Sequence, residues 1–187
     1  MPVHEFEPYQ GRIEMVSVES TALKNNLLGD PVRRQIAVYL PPGYDESTQE
    51  YPLFVDLAAY TGSGLSHLAW SAFSENMPQR LERLEAAGTM GKVIMAFPDC
   101  FTSLGGNQYI NSEATGNWAD FLTVEMIPVL EAKYRIQPGK GHRALFGKSS
   151  GGYGALVHGM LYPDCWGAVA CHSGDMAFDL VYQRDLP

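Results

Sequence analysis

The stretch Ala144-Leu145-Phe146-Gly147-Lys148-Ser149-Ser150-Gly151-Gly152-Tyr153-Gly154-Ala155-Leu156 constrains this chain more than any other. An apolar run enters a G-x-S-x-G box, and a run with helical spacing leaves it. Strand, sharp turn and helix in that order are what a nucleophile elbow requires. A tight turn would expose the Ser149 hydroxyl above a sheet and admit only small neighbours, hence Gly147 and Gly151. Gly152 would let the helix sit close to the strands. The N–H of Ser150 would lie at a helix N-terminus, where unpaired donors favour negative charge. Tyr153, Leu156, Val157, Met160 and Leu161 recur at i, i+3, i+4, i+7 and i+8, which predicts an apolar stripe turned to the core. Pro163 stops that helix. Gly147-Lys148-Ser149 also resembles the end of a phosphate loop, but the glycine such a loop needs five positions earlier is His142.

The rest of the chain fits around this box. Arg12 to Ser20 and Arg33 to Leu40 read as strands with no helix between them, an antiparallel start. Tyr51 to Ala59 is a nearly continuous apolar run, as in a strand covered on both faces. Leu65 to Phe73 reads as a short helix. Pro78 to Ala87 reads as a clearer one, capped by Asn76 and closed by Gly88. Lys92 to Phe97 is another buried strand. Residues 100–117 form a long polar loop, a length usually tied to function. Trp118 to Tyr134 is an amphipathic helix that Pro128 must kink or divide. Arg143 to Phe146 enters the elbow, and Trp166 to Cys171 is a last short strand. The order predicts an α/β fold with a mostly parallel, doubly wound sheet, over 1–187 as a single domain. Ligands of such sheets bind beyond the carboxyl ends of the strands. Here those ends are residues 58–64, 99–109, Ser149 and 172–175.

Composition narrows the partners. A formal net charge of −8 argues against nucleic acid and anionic membranes. The three cysteines, Cys100, Cys165 and Cys171, lack zinc-ligand spacing and read as free thiols of a reducing compartment. Met1 to Glu7 has neither the basic nor the apolar region of a signal peptide, and no run is long enough to span a membrane, so the expectation is a cytoplasmic protein.

The elbow F-G-K-S-S-G-G-Y-G-A-L, the entry Y-L-P-P-G-Y, the strand Y-P-L-F-V-D-L-A-A-Y-T-G and the helix D-F-L-T-V-E-M-I-P-V-L-E together resemble the putative esterase family of α/β-hydrolases. That family includes S-formylglutathione hydrolase, enterobactin esterase, feruloyl esterases and mycolyltransferases. The resemblance implies an α/β-hydrolase fold and a serine esterase for a small-molecule carboxylic ester or thioester, with no cofactor and no metal. It assigns Ser149 as nucleophile and the N–H groups of Ser150 and Tyr60 as the oxyanion site. Many members carry His-Gly where this chain has Ala58-Ala59. Asp99 follows the fourth strand where members often have Pro-Asp, although as a residue type it reads first as a helix or turn cap.

The fold's triad order is Ser, then an acid, then His. The chain reads as truncated before the last two strands, with the acid and histidine expected beyond Pro187. Within the chain, His172 reads as a pocket-lining or strand-end residue, Asp175 as a pocket acid or turn residue, and His67 as an ordinary polar loop residue. His158 points away from Ser149, His142 starts its strand at the far end of the sheet, and His4 lies in the N-terminal segment. Two further readings stay open: an acyltransferase of the mycolyltransferase type, and an inactive interaction domain on the same fold. The last strand would be an uncovered edge, which predicts a homo-oligomer or a poorly soluble chain.

Overall fold

The computed structural model describes residues 6–183; His4 and the chain beyond 183 lie outside the described residues. Six strands form one sheet: β1 (Arg12–Glu19), β2 (Arg33–Leu40), β3 (Leu53–Leu57), β4 (Ile94–Pro98), and, past a two-residue hairpin of β5 (Asn111–Ser112) and β6 (Gly116–Asn117), β7 (Arg143–Lys148) and β8 (Ala168–His172). Their spatial order is β1-β2-β4-β3-β7-β8. β1 and β2 pair antiparallel, and β2 runs antiparallel to β4. β4, β3, β7 and β8 are parallel. From β3 the chain crosses to β4 on one side, and from β7 to β8 on the other, so the carboxyl ends of β3 and β7 flank the point where the connections part.

Alternation along the strands sorts side chains onto two faces. Leu53, Val55, Leu57 and Leu145 join one core with Trp118, Phe121, Leu130 and Trp166. Phe54 and Phe146 face the other way, onto Met95, Phe97 and Leu81. That second face is covered by α1 (Met77–Ala86), whose Asn76 and Gln79 form a reciprocal capping box. The expected helix at Leu65 is a single 3-10 stretch, Gly64–Leu68, started by Ser63.

The predicted break at Pro128 is present. The segment runs as α2 (Trp118–Asp120), a π-helical stretch Phe121–Met126 and α3 (Ile127–Lys133). The Ile127 N–H reaches back five residues to the Leu122 carbonyl, so the helix widens just before the proline that lacks a donor.

After β7, α4 (Ser150–Leu161) buries only part of the expected stripe: Val157 is buried, and Tyr153 and Leu156 are half-buried. Met160 and Leu161 are exposed, whereas Gly151, Gly154, Ala155, Val157 and His158 are buried. The cause is close approach: a Cβ on Gly151 would sit 2.1 Å from the Leu57 carbonyl oxygen, and one on Gly159 would sit 2.9 Å from Val169. The helix therefore turns its small residues to the sheet. A short helix, α5 (Phe178–Val181), ends the described chain. Among the described residues no helix is long and apolar enough to cross a membrane.

Candidate active site

Ser149 lies between β7 and α4 with φ 57° and ψ −121°. A non-glycine residue there is strained, and the surroundings hold it. Its N–H donates to the His172 carbonyl (3.0 Å) and its own carbonyl accepts from the Tyr153 N–H (2.9 Å). Gly147 and Gly151 touch each other's backbone and that of Leu57, so neither tolerates a side chain. The local sequence thus imposes the turn, and the turn lifts the Ser149 side chain off the sheet.

The Ser149 hydroxyl donates to Asp175 Oδ1 at 3.0 Å. Asp175 is half-buried, its N–H reaches the Ser149 carbonyl at 3.3 Å, and its Oδ2 accepts from Gln108 Nε2 at 3.3 Å. Asp175, read from sequence as a pocket acid or turn residue, thus lies in hydrogen-bond contact with Ser149 and with the long loop. Gln108 was not singled out from sequence; it sits in the long loop, where composition alone does not distinguish it. Its Oε1 and the Ser150 Oγ are buried without a hydrogen-bond partner among the described residues.

Ser150 is fully buried and opens α4, so its N–H is one of the helix's first donors with no intrahelical acceptor. Gly151 packs on Leu57 and Ala58, which brings this corner to the loop that carries Tyr60. The Tyr60 N–H has no acceptor among the described residues, while its carbonyl accepts from Gly106 N–H and its hydroxyl donates to the Leu104 carbonyl, both at 2.5 Å. The Gly105-Gly106 pair lies against Tyr60 so tightly that a Cβ on Gly106 would fall 2.7 Å from the Tyr60 Cα. The long loop therefore fixes the Tyr60 backbone. It is anchored in turn by Tyr109, a buried residue at φ 61° whose hydroxyl donates to the Ala58 carbonyl at 2.6 Å.

Asp99 takes the cap role. Its Oδ1 accepts from Ser63 Oγ (2.8 Å) and from the Phe101 N–H (3.2 Å), which ties two loops together. His158 is buried away from Ser149, as expected. Its Nε2 contacts the Tyr109 carbonyl at 2.8 Å and its Nδ1 accepts from Trp166 Nε1 at 3.3 Å. Burial pushes its pKa down, which keeps it the neutral donor this pairing needs.

His67 departs from its expected ordinary role. Its Nδ1 lies 2.5 Å from Asp56 Oδ2, and Asp56 is buried on β3. The hydrogen bond to that carboxylate raises the His67 pKa against the opposing effect of burial. The signal was available in the sequence: Asp56 is a lone carboxylate inside an apolar strand, and a buried charge needs a partner. Together with Lys148 and His172, this pair lines an open cavity of about 530 Å³ on the α1 face of the sheet. The structure thus separates Ser149, with Asp175, from this adjoining cavity.

A family model described as "Putative esterase" matches residues 31–178. The chain belongs to this family. Solved structures of similar architecture include a ferulic acid esterase from Anaeromyces mucronatus (22% identity, TM-score 0.73, 95% of this chain and 63% of that one). An S-formylglutathione hydrolase from Staphylococcus aureus has 12% identity and a TM-score of 0.64, over 95% of this chain and 62% of that one. A fluorophosphonate-binding serine hydrolase of the same organism has 14% identity and a TM-score of 0.65, over 94% and 61%. At these identities the likeness speaks for the fold, and the chain is an α/β-hydrolase with a mostly parallel central sheet. It spans 61–63% of the length of these structures. No curated protein matches the chain.

Proposed function

We propose that this putative esterase is a serine esterase that cleaves a carboxylic ester or thioester through an acyl-enzyme on Ser149. The observation that carries the reading is the backbone of Ser149, held at φ 57° between a central strand and a buried helix N-terminus. Strain of this kind is kept where it serves a site, and here it presents a hydroxyl next to unpaired N–H donors. In this reading Ser149 Oγ attacks the acyl carbonyl, and the carbonyl oxygen, as it gains charge, turns toward the N–H groups of Ser150 and Tyr60. Loss of the alcohol or thiol leaves the acyl group on Ser149, and water then releases it as the acid.

Asp175 orients the serine hydroxyl. A carboxylate is a poor acceptor of a serine proton, so the reaction calls for an imidazole base. Among the described residues no histidine side chain hydrogen-bonds Ser149. The base is therefore proposed to lie after residue 187, in keeping with the Ser, acid, His order of the fold. The proposed substrate is a small molecule, and the unpaired cysteines suit a reducing, cytoplasmic setting.

Protein expressed from its complete reading frame is expected to label with a fluorophosphonate, and Ser149→Ala to lose both labelling and ester hydrolysis. Absence of labelling in the complete protein would sink the esterase reading and favour an inactive interaction domain. The 187-residue chain alone is expected to hydrolyse esters at least about a thousandfold more slowly, because triad members act as a unit.

The chain alone is also proposed to self-associate. β8 is an edge strand, all five of its residues are exposed, and Ala168 to Cys171 carry no charge. The opposite edge, β1, is guarded by Arg12, Glu14 and Glu19. Light scattering of the 187-residue chain is expected to show an oligomer, and a clean monomer would count against that.

A further inference from the structure

The cavity beside Ser149 has a chemistry of its own. On β3, β7 and β8 the residues that face α1 are Phe54 and Asp56, then Ala144, Phe146 and Lys148, then Ala168, Ala170 and His172. This follows from strand alternation and from the parallel register Asp56↔Phe146 and Lys148↔His172. Lower down, this face is apolar. At its carboxyl end it changes to ionisable groups, and His67 leans over them from the 3-10 stretch after β3.

The two carboxylates lining the cavity are already satisfied. Asp56 holds His67 Nδ1, and Glu75 is clasped by Arg80 (2.7 Å) and Arg83 (2.8 Å), which draws its pKa down to about 2. The donors are not satisfied in the same way. Among the described residues, His67 Nε2, the Lys148 ammonium and the His172 ring have no hydrogen-bond or ion-pair partner. Lys148 directly precedes Ser149, and the His172 carbonyl accepts the Ser149 N–H. All three donors line the one cavity.

We propose that His67, Lys148 and His172 form an anion-binding subsite that selects esters bearing a second, free carboxylate. The buried Asp56 carboxylate fixes the ring of His67 and favours its protonated form, so that Nε2 presents an N–H to the cavity. Lys148 adds an unpaired charge, and the apolar floor of Phe146 and Met77 accommodates the chain that joins the carboxylate to the ester. A charge-assisted pair between these donors and a carboxylate is roughly twice as strong as a neutral hydrogen bond. The inference rests on the esterase reading only in naming the ligand an ester.

The test uses the complete protein carrying Ser149→Ala, so that binding is read without turnover. Monomethyl succinate, with one free carboxylate, and dimethyl succinate, with none, are titrated by calorimetry at neutral pH. The monoester is expected to bind at least about tenfold more tightly, a factor equivalent to about 1.4 kcal/mol. Adding Lys148→Met or His67→Gln is expected to bring the monoester down to the level of the diester while leaving the diester unchanged. Lys148 is exposed, so its variant is read without concern for folding, and a melting curve checks the His67 variant. Equal binding of the two ligands, no binding of either at millimolar concentration, or a preference that survives Lys148→Met would overturn the proposal. Failure here combined with fluorophosphonate labelling of Ser149 leaves the esterase reading standing; loss of labelling with a retained monoester preference does the reverse.

Discussion

Gly151→Ala is expected to destabilise the chain by about 3–5 kcal/mol, at the upper end of what one methyl group does in a packed interior. The added Cβ would lie 2.1 Å from the Leu57 carbonyl oxygen, 2.7 Å from its carbon and 2.8 Å from the Ala58 oxygen. All three are backbone atoms at the end of β3, a strand paired on both sides by β4 and β7. A flexible side chain could swing aside; a central strand cannot. The alternative, lifting α4 off the sheet, would break the contacts of Ala155 and disturb the hydrogen bonds that hold Ser149 in its turn. For a chain of this size about 1 kcal/mol moves the melting temperature by roughly 2–4 °C, so a fall of about 6 °C or more is expected. Ser149→Ala, which removes a hydroxyl and adds nothing, serves as the control and should stay within about 1 kcal/mol of the parent. A Gly151→Ala chain that melts with its parent would show that the helix has room to move, and the close-packed account of the elbow would fail.

The strand, turn and helix around Ser149 were legible in the sequence because their requirements are local. Gly147 and Gly151 flank the serine at fixed spacing, and the strand and helix are written on either side. The helix face was not legible for the same reason. Periodicity of Tyr153, Leu156, Val157, Met160 and Leu161 measures where large apolar residues fall, and of these only Val157 is buried, whereas α4 is placed by where large residues are missing. Its depth is set by Gly151 and Gly154 and by His158 reaching Tyr109, 49 residues earlier. The outer strand pairings were legible, since two strands without an intervening helix start antiparallel. Pro128 announced the break in its helix, though not that the break would be π-helical. Asp99 and Asp175 show the limit of residue type: both sit in polar turns, and only the fold decides that one caps a loop and the other meets the Ser149 hydroxyl. Asp56 is the instructive omission. Its apolar neighbours made the strand assignment easy and hid the one residue in the run that had to be paired.

Asp56→Asn is expected to lower the pKa of His67 and to cost about 1–3 kcal/mol of stability, because it removes the ion from a buried pair while keeping its shape. The hydrogen bond from His67 raises the folded-state pKa of that imidazole above its unfolded value. The charged pair's contribution is therefore fully present below about pH 6.5, the unfolded value, and is lost as pH rises through the higher folded pKa. The gap in stability between parent and Asp56→Asn should accordingly be widest below about pH 6.5 and narrow as pH rises above it. The other charged or titratable groups lining this cavity are Glu75, Arg80, Lys148 and His172. The Glu75 carboxyl is held far below this range by Arg83 and Arg80, and His172→Gln in both backgrounds confines the comparison to His67. Proton NMR of the His67 ring gives the pKa directly, and urea unfolding at several pH values gives the gap. A His67 that titrates alike in parent and variant, or a gap that widens with rising pH, would show that Asp56 holds a neutral ring, and the cavity would then lose one of its cationic donors.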